Sequence, residues 1–112
     1  MKNTVIQITN DGMGKADLPL QHKLIGKYLE LLQKNGSLPN AICFYTEGVK
    51  LTVEGSPVLE QLATLEAKGV RLLICSTCLE YFGLTKKVRV GIVGGMGDIL
   101  EAQRLADKVI NL

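Results

Sequence analysis

Residues 70–83 read Val-Arg-Leu-Leu-Ile-Cys-Ser-Thr-Cys-Leu-Glu-Tyr-Phe-Gly, and this stretch decides the fold. Residues 70–75 form a short apolar run preceded by a glycine, which is typical of a strand buried on both faces of a parallel sheet. A short helix is predicted to begin around residues 77–78 and to end at Gly83. A buried strand that leads directly into a helix is the repeating unit of α/β proteins.

Three further runs share this character and are predicted to be buried strands: residues 4–9, 41–46 and 88–93. Residues 50–53 are predicted to add a short edge strand or a lid. Strands that alternate with helices pair in parallel, with helices on both faces of the sheet. The sequence therefore predicts one α/β domain over residues 1–112, with a mainly parallel sheet of four to five strands.

The helical segments are predicted from apolar spacing and capping residues. The first ends near residues 35–36 (Asn-Gly), and the second spans 56–69, where Ser-Pro begins it. The last is predicted to begin at Asp98, with Glu101 as its capping partner, and to reach Val109. The stripe expected to face the core in the first helix consists of Leu20, Leu24, Ile25, Tyr28, Leu31 and Leu32.

Composition and charge limit the range of partners. Of the 112 residues, 46% are hydrophobic and 4% aromatic, there is no Trp, and the net charge is +2. The low aromatic content and small charge argue against nucleic acid as partner and against an anionic membrane. No apolar run approaches the roughly 20 residues that span a bilayer, and no signal peptide is visible. A cytoplasmic protein whose three cysteines are free thiols is expected.

Ligands of open parallel α/β sheets bind outside the carboxyl ends of the strands. This rule selects four loops, at residues 10–14, 46–48, 75–78 and 94–98. The candidate substrate-binding residues on them are Asp11, Gly12, Gly14, Glu47, Ser76, Thr77, Gly95 and Met96. Asp11 and Glu47 are alternatively turn residues, and for Asp11 the turn interpretation is favoured because Asp-Gly is a turn signal. The glycines near Gly95 fit either an anion cradle at a helix N-terminus or a plain turn.

Cys75 and Cys78 are the candidate catalytic residues. One ends a strand and the other falls in the first turn of the next helix, where the helix dipole is expected to lower a thiol pKa. A thiolate is the nucleophile, and a second thiol three residues away is able to resolve a persulfide into a disulfide. The alternative is two small structural residues at a strand end.

No metal site is predicted. A closed zinc site needs four ligands, and beyond the Cys75–Cys78 pair only Cys43 and His22 remain as soft donors. Cys43 lies inside an apolar run and is expected in the core. His22 is expected to be an exposed residue at the start of the first helix.

Three stretches carry a resemblance to a known family: residues 47–56 (Glu-Gly-Val-Lys-Leu-Thr-Val-Glu-Gly-Ser), 65–70 (Leu-Glu-Ala-Lys-Gly-Val) and 75–81 (Cys-Ser-Thr-Cys-Leu-Glu-Tyr). With residues 11–14 and 96–99, they resemble the DsrE/DsrF-like superfamily. The similarity is greater to the C-terminal domain of sulfurtransferase-like selenium-metabolism proteins. Ser76 stands where that group usually has glycine, and Gly95 where it has asparagine.

The resemblance implies a flavodoxin-like three-layer α/β sandwich that assembles as a dimer, trimer or hexamer. It also implies sulfur relay through a cysteine persulfide without a cofactor, with Cys75 as acceptor and Cys78 as the assisting thiol, whereas the helix-dipole argument alone favours Cys78. The selenium-associated proteins carry an additional carrier-type domain, so a separate small sulfur-carrier protein is an expected partner. Two other functions stay open: a thioredoxin-like thiol–disulfide exchange protein, and a non-catalytic subunit that binds or assembles.

Overall fold

A five-stranded parallel sheet with helices between its strands forms the fold in the computed structural model, which describes residues 3–112. Met1 and Lys2, which the predicted domain includes, lie outside the described residues. The strands are β1 Thr4–Ile8, β2 Ala41–Phe44, β3 Arg71–Cys75, β4 Ile92–Gly94 and β5 Lys108–Asn111. The α-helices are α1 Leu18–Asn35, α2 Leu59–Ala67, α3 Ser76–Tyr81 and α4 Met96–Leu105. The predicted α/β class with a parallel sheet is confirmed.

The strand order in the sheet is β4-β3-β2-β1-β5. The first three connections all step in one direction, from β1 to β4, and the last returns to the far side of β1. Because parallel crossovers are right-handed, α1, α2 and α3 cover one face of the sheet and α4 covers the other. This is the flavodoxin-like three-layer arrangement that the resemblance implies. Within residues 3–112, no helix combines the length and apolarity needed to cross a bilayer.

The core lies around the central strands β1 and β2, every residue of which is buried. Cys43 is fully buried on β2, as expected, and desolvation raises the pKa of its thiol to about 11, with Arg71 acting in the opposite direction. On α1 the buried residues are Ile25, Leu29 and Leu32. The predicted stripe is wrong at Leu20, Leu24 and Leu31, which are exposed. Because successive residues of a helix are rotated by about 100°, the three buried residues lie on one narrow face of α1, and the three exposed leucines lie outside that face.

The predicted edge strand at residues 50–53 is wrong except at Val53, which forms an isolated antiparallel bridge with Val88. The alternative of a lid stays a prediction. Residues 50–52 belong to a 3₁₀ helix, Thr46–Thr52, whose Val49 and Leu51 are buried. Gly48 explains this path, because a Cβ atom there would lie 1.9 Å from the carbonyl oxygen of Ile8. The backbone therefore packs directly against the end of β1 and turns, instead of continuing as a strand.

Three predicted boundaries also differ. β4 begins at Ile92 and not at residue 88, because Gly91 turns the chain with a φ of 86°. α2 begins at Leu59, after a turn in which the Val58 N–H donates to the Ser56 hydroxyl at 3.2 Å. α4 ends at Leu105, and residues predicted to extend it form β5. A four-residue strand carries too little alternation to be separated from a helix end.

Candidate functional site

The two neighbouring thiols lie at the carboxyl edge of the sheet, where β3 passes directly into α3. Cys75 ends β3 and is 1% exposed, whereas Cys78 lies in α3 and is half-buried. The Cys78 thiol donates to Cys75 Sγ at 3.1 Å. Both cysteines are free thiols. A small approach of the two sulfur atoms is enough to form a disulfide, since an S–S bond is about 2.05 Å long. The pair is a preassembled dithiol with one buried and one accessible member.

Thr46 supplies the main-chain contact to this pair. Its N–H donates to Cys78 Sγ at 3.1 Å, and its hydroxyl donates to the Thr9 carbonyl at 2.6 Å. The residue has a φ of 48°, a left-handed conformation that is costly for a β-branched side chain. This strained backbone conformation directs the Thr46 N–H toward Cys78 Sγ. Sequence reasoning missed Thr46, since a threonine at a strand end carries no signal of positive φ.

The pKa of the Cys78 thiol is raised, first by burial and next by its hydrogen bond to Cys75, while the Thr46 N–H acts to lower it. The prediction that the helix dipole lowers a thiol pKa here is wrong for Cys78. α3 has only six residues, and its dipole is too short to outweigh desolvation. The groups that favour the Cys78 thiolate are two backbone N–H groups, that of Thr46 and that of Cys78 itself.

Cys78 opens into a small apolar cavity of about 270 Å³, which we call the thiol pocket. It is lined by Thr46, Thr77, Cys78, Tyr81 and Phe82. The Tyr81 and Phe82 rings meet edge to face with centroids 5.4 Å apart, and Tyr81 is 85% exposed. An exposed aromatic beside an accessible thiol provides a contact surface for a ligand or for a protein that approaches Cys78.

A second cavity of about 380 Å³, which we call the side cleft, shares Phe82 with the thiol pocket. Asp11 lies there, with its Oδ1 atom 2.9 Å from His22 Nε2. Sequence reasoning set His22 aside as an exposed residue at a helix start, yet its side chain is only 27% exposed. The loop 10–14 and the first turns of α1 must fold against each other before this pair exists.

The other predicted substrate-binding residues are spread along the same edge. Ser76 begins α3 beside the thiols without lining the pocket, and Glu47 is exposed and lies 3.7 Å from Lys50 Nζ. Gly12 packs against Gln21, where a Cβ would meet backbone at 2.5 Å. Neither cavity is lined by Gly12, Gly14, Gly95 or Met96 in the part of the chain described.

The glycine loop before α4 is closed by its own helix. Gly95 caps α4, and its N–H donates to Asp98 Oδ2 at 2.9 Å. The predicted helix start at Asp98 is therefore wrong by two residues, and its predicted partner Glu101 pairs with Arg104 instead. The Asp98 carboxylate accepts the Gly95 N–H, so this donor is already bound within the chain, and the anion cradle stays a prediction.

The fold and the site define an α/β protein that carries a dithiol at the carboxyl edge of its parallel sheet. The sequence matches the DsrE/DsrF-like family over residues 2–112. The chain belongs to this family, which is associated with sulfur relay in general.

Solved structures show the same fold. YchN from Escherichia coli superposes with a TM-score of 0.70 at 19% identity, covering 97% of this chain and 98% of that one. MTH1491 from Methanobacterium thermoautotrophicum, a protein of unknown function, gives 0.68 at 21% identity, with 97% of both chains covered. BT1422 from Bacteroides thetaiotaomicron, also of unknown function, gives 0.65 at 15%, covering 98% and 95%. No curated protein sequence matches the chain.

Proposed function

We propose that the protein accepts and passes on sulfane sulfur through a persulfide on its dithiol, with Cys78 as the attacking thiol. The observation that carries the proposal is the arrangement of the pair, with sulfurs 3.1 Å apart and only Cys78 facing a pocket. The resemblance favoured Cys75 as acceptor. Its burial beneath Cys78 supports the opposite order, because a donor must reach the sulfur that it loads.

The transfer is a displacement at sulfur. The Cys78 thiolate attacks the terminal sulfur of a donor R–S–SH, a new S–S bond forms, the donor S–S bond breaks, and R–S⁻ leaves and takes up a proton. An acceptor thiolate then attacks the outer sulfur of the Cys78 persulfide and restores the thiolate. Attack by Cys75 on the inner sulfur would instead expel HS⁻ and leave a Cys75–Cys78 disulfide.

Thr46 has a defined part in this scheme. Its N–H faces Cys78 Sγ and stabilises negative charge there, whereas burial and Cys75 oppose it. The thiolate is therefore a minor species at neutral pH, and a thiol of high pKa is a stronger nucleophile once ionised. Loading of Cys78 is expected to accelerate as pH rises toward the pKa of its thiol.

The test is intact-mass spectrometry of reduced protein after exposure to a sulfane-sulfur donor. We expect a gain of one sulfur atom that a reducing agent reverses, that Cys78→Ser abolishes and that Cys75→Ser retains. Cys43→Ala is the matched control, since its thiol is fully buried away from the pocket. Loading retained in Cys78→Ser but lost in Cys75→Ser would reverse the assignment, and no gain in the wild type would end the proposal.

Thiol–disulfide exchange is the second candidate, and the same sulfur separation favours it. A redox protein would lose two hydrogen atoms on oxidation without gaining sulfur, and it would reduce protein disulfides. Because attack by Cys75 on a persulfide also ends in a disulfide, the Cys75→Ser variant separates the two functions in the mass spectra: it gains one sulfur atom if Cys78 accepts sulfane sulfur and none if the pair only exchanges disulfides. Reduction of protein disulfides is measured in a separate turbidity assay.

We also propose partners and cargo that follow from the resemblance: a small sulfur-carrier protein as acceptor, other copies of this chain, and selenium as an alternative cargo. Tyr81 supports docking at the thiol pocket, because it is exposed beside Cys78. Self-association is supported by Ile92 and Val93 on the edge strand β4 and by Leu100 on α4, all exposed. Light scattering of wild type beside Leu100→Glu tests it, and a monomeric wild type refutes it.

A further inference from the structure

The side cleft adjoins the thiol pocket and has a size and lining suited to a small molecule. Its volume of about 380 Å³ falls within the roughly 300–1,000 Å³ of small-molecule sites. Its lining combines charged and apolar groups, among them Asp11, His22, Lys50, Glu54 and Phe82. Phe82 belongs to both cavities, so a ligand in the side cleft would lie one ring away from the pocket that exposes Cys78.

Positive charge is held at the shared wall. Lys50 Nζ lies 4.6 Å from the centroid of the Phe82 ring and 3.7 Å from Glu47 Oε2, and its side chain is 35% exposed. A cation over an aromatic face is stabilised by the ring while its free N–H donors stay available. The 3.7 Å separation from Glu47 leaves room for a closer anionic partner. This ammonium is therefore placed to receive a carboxylate at the boundary of the two cavities.

Negative charge lines other parts of the cleft. Asp11 is 19% exposed, and its backbone carbonyl accepts from Gln21 Nε2 at 3.0 Å, which fixes the loop against α1. Its carboxylate is held by His22 at 2.9 Å on one oxygen. Glu54 adds a second carboxylate, which lies 3.4 Å from Arg89. The second oxygen of Asp11 is suited to an ammonium group.

We propose that the side cleft binds the α-amino-acid head group of a low-molecular-weight aminothiol persulfide. Its carboxylate would lie on Lys50, its ammonium on Asp11, and its sulfur chain would pass Phe82 to the thiol pocket. The proposal rests on the proposed sulfur transfer and names its donor class. The Cys78 thiolate attacks the terminal sulfur, a new S–S bond forms to give Cys78–S–SH, and the donor S–S bond breaks. The aminothiol leaves as a thiolate, which takes up a proton from solvent. An inorganic polysulfide lacks both charged groups and would use the thiol pocket alone.

Binding is tested first with S-methylcysteine, which carries the head group and has no reactive sulfur. NMR titration of isotope-labelled protein is expected to give saturable chemical-shift changes at residues that line the side cleft. Lys50→Met and Asp11→Asn are each expected to weaken binding about tenfold. Lys68→Met is the matched control, because Lys68 follows α2, where the chain enters β3 at the opposite edge of the sheet. Absence of saturable shifts, or equal weakening in the control, overturns the proposal.

Single-turnover loading followed by mass spectrometry is the second test. The measured quantity is the loading rate with cysteine persulfide divided by the loading rate with inorganic trisulfide. We expect Lys50→Met to lower this ratio about tenfold and Lys68→Met to leave it unchanged. Glutathione persulfide, which carries the same head group on a longer chain, separates a free amino acid from a peptide donor. An unchanged ratio in Lys50→Met overturns the donor assignment. If no donor loads sulfur onto the wild-type protein, sulfur transfer itself is overturned. S-methylcysteine binding is measured independently of both results.

Discussion

Thr46→Gly is expected to leave the protein more stable than Thr46→Val, although valine is closer in shape to threonine. Both variants lose the hydroxyl that donates to the Thr9 carbonyl, a bond that contributes about 0.5–1.5 kcal/mol. Valine keeps a β-branched side chain at a φ of 48°, which costs about 1–3 kcal/mol. Glycine removes that strain and costs about 0.5–1 kcal/mol in chain entropy. The glycine variant is thus expected to be more stable by about 1 kcal/mol.

Urea denaturation followed by far-UV circular dichroism measures the difference. With a slope of about 1–2 kcal/mol per molar urea, the midpoints should differ by about 0.5–1 M. The same substitutions at Thr64 are the control, because its hydroxyl also donates to a carbonyl, that of Glu60, from ordinary helical backbone. There the valine variant should be the more stable one. A Thr46→Val protein at least as stable as Thr46→Gly would refute the argument from strain.

Three further results are expected. The free energy of unfolding should fall by roughly 2–3 kcal/mol between about pH 9 and pH 11, because the pKa of the Cys43 thiol is about 11 in the folded protein and lower in the unfolded chain. Urea titrations at several pH values measure this fall, and Cys43→Ala should flatten the profile. Gly48→Ala should lower the free energy of unfolding by more than about 3 kcal/mol or prevent folding, since its Cβ would lie 1.9 Å from a β1 carbonyl oxygen. Gly97→Ala is the control, because its Cβ meets nothing within 4 Å and the variant should keep the wild-type circular dichroism spectrum. Cys75→Ala should lower the pKa of the Cys78 thiol, measured by the pH dependence of alkylation, because Cys75 raises it; an unchanged alkylation profile would contradict the role given to Cys75.

The parts of the fold that follow from the sequence are those set by local pattern. Buried parallel strands are continuous apolar runs, so β1, β2 and β3 were predicted close to their observed positions. The carboxyl-edge rule then placed Cys75 and Cys78 at the rim of the sheet, because it needs only the order of strands and helices. The edge elements β4 and β5 are short and exposed, and their sequence pattern carries correspondingly less information.

The parts of the site that were missed depend on contacts between segments distant in the sequence. Thr46 has a positive φ where the chain turns against the end of β1, and its β-branched side chain gives no sequence signal of that conformation. The His22–Asp11 pair forms only when a loop folds onto α1. The raised pKa of Cys78 reflects desolvation, whereas the helix-dipole prediction considered only its position along the chain. Burial is a property of the assembled molecule.

The pairing of β5 with β1 has a consequence for synthesis in the cell. Gln7 and Asn111 are register partners 104 residues apart, and they also bond through their side chains. At about 5–20 residues per second, on the order of 10 s separates the synthesis of these two strands. During that interval one edge of β1 has no partner, and its apolar residues are open to pairing with another nascent chain. Translation speed and chaperone access are therefore expected to influence the yield of this protein more than its modest size would suggest.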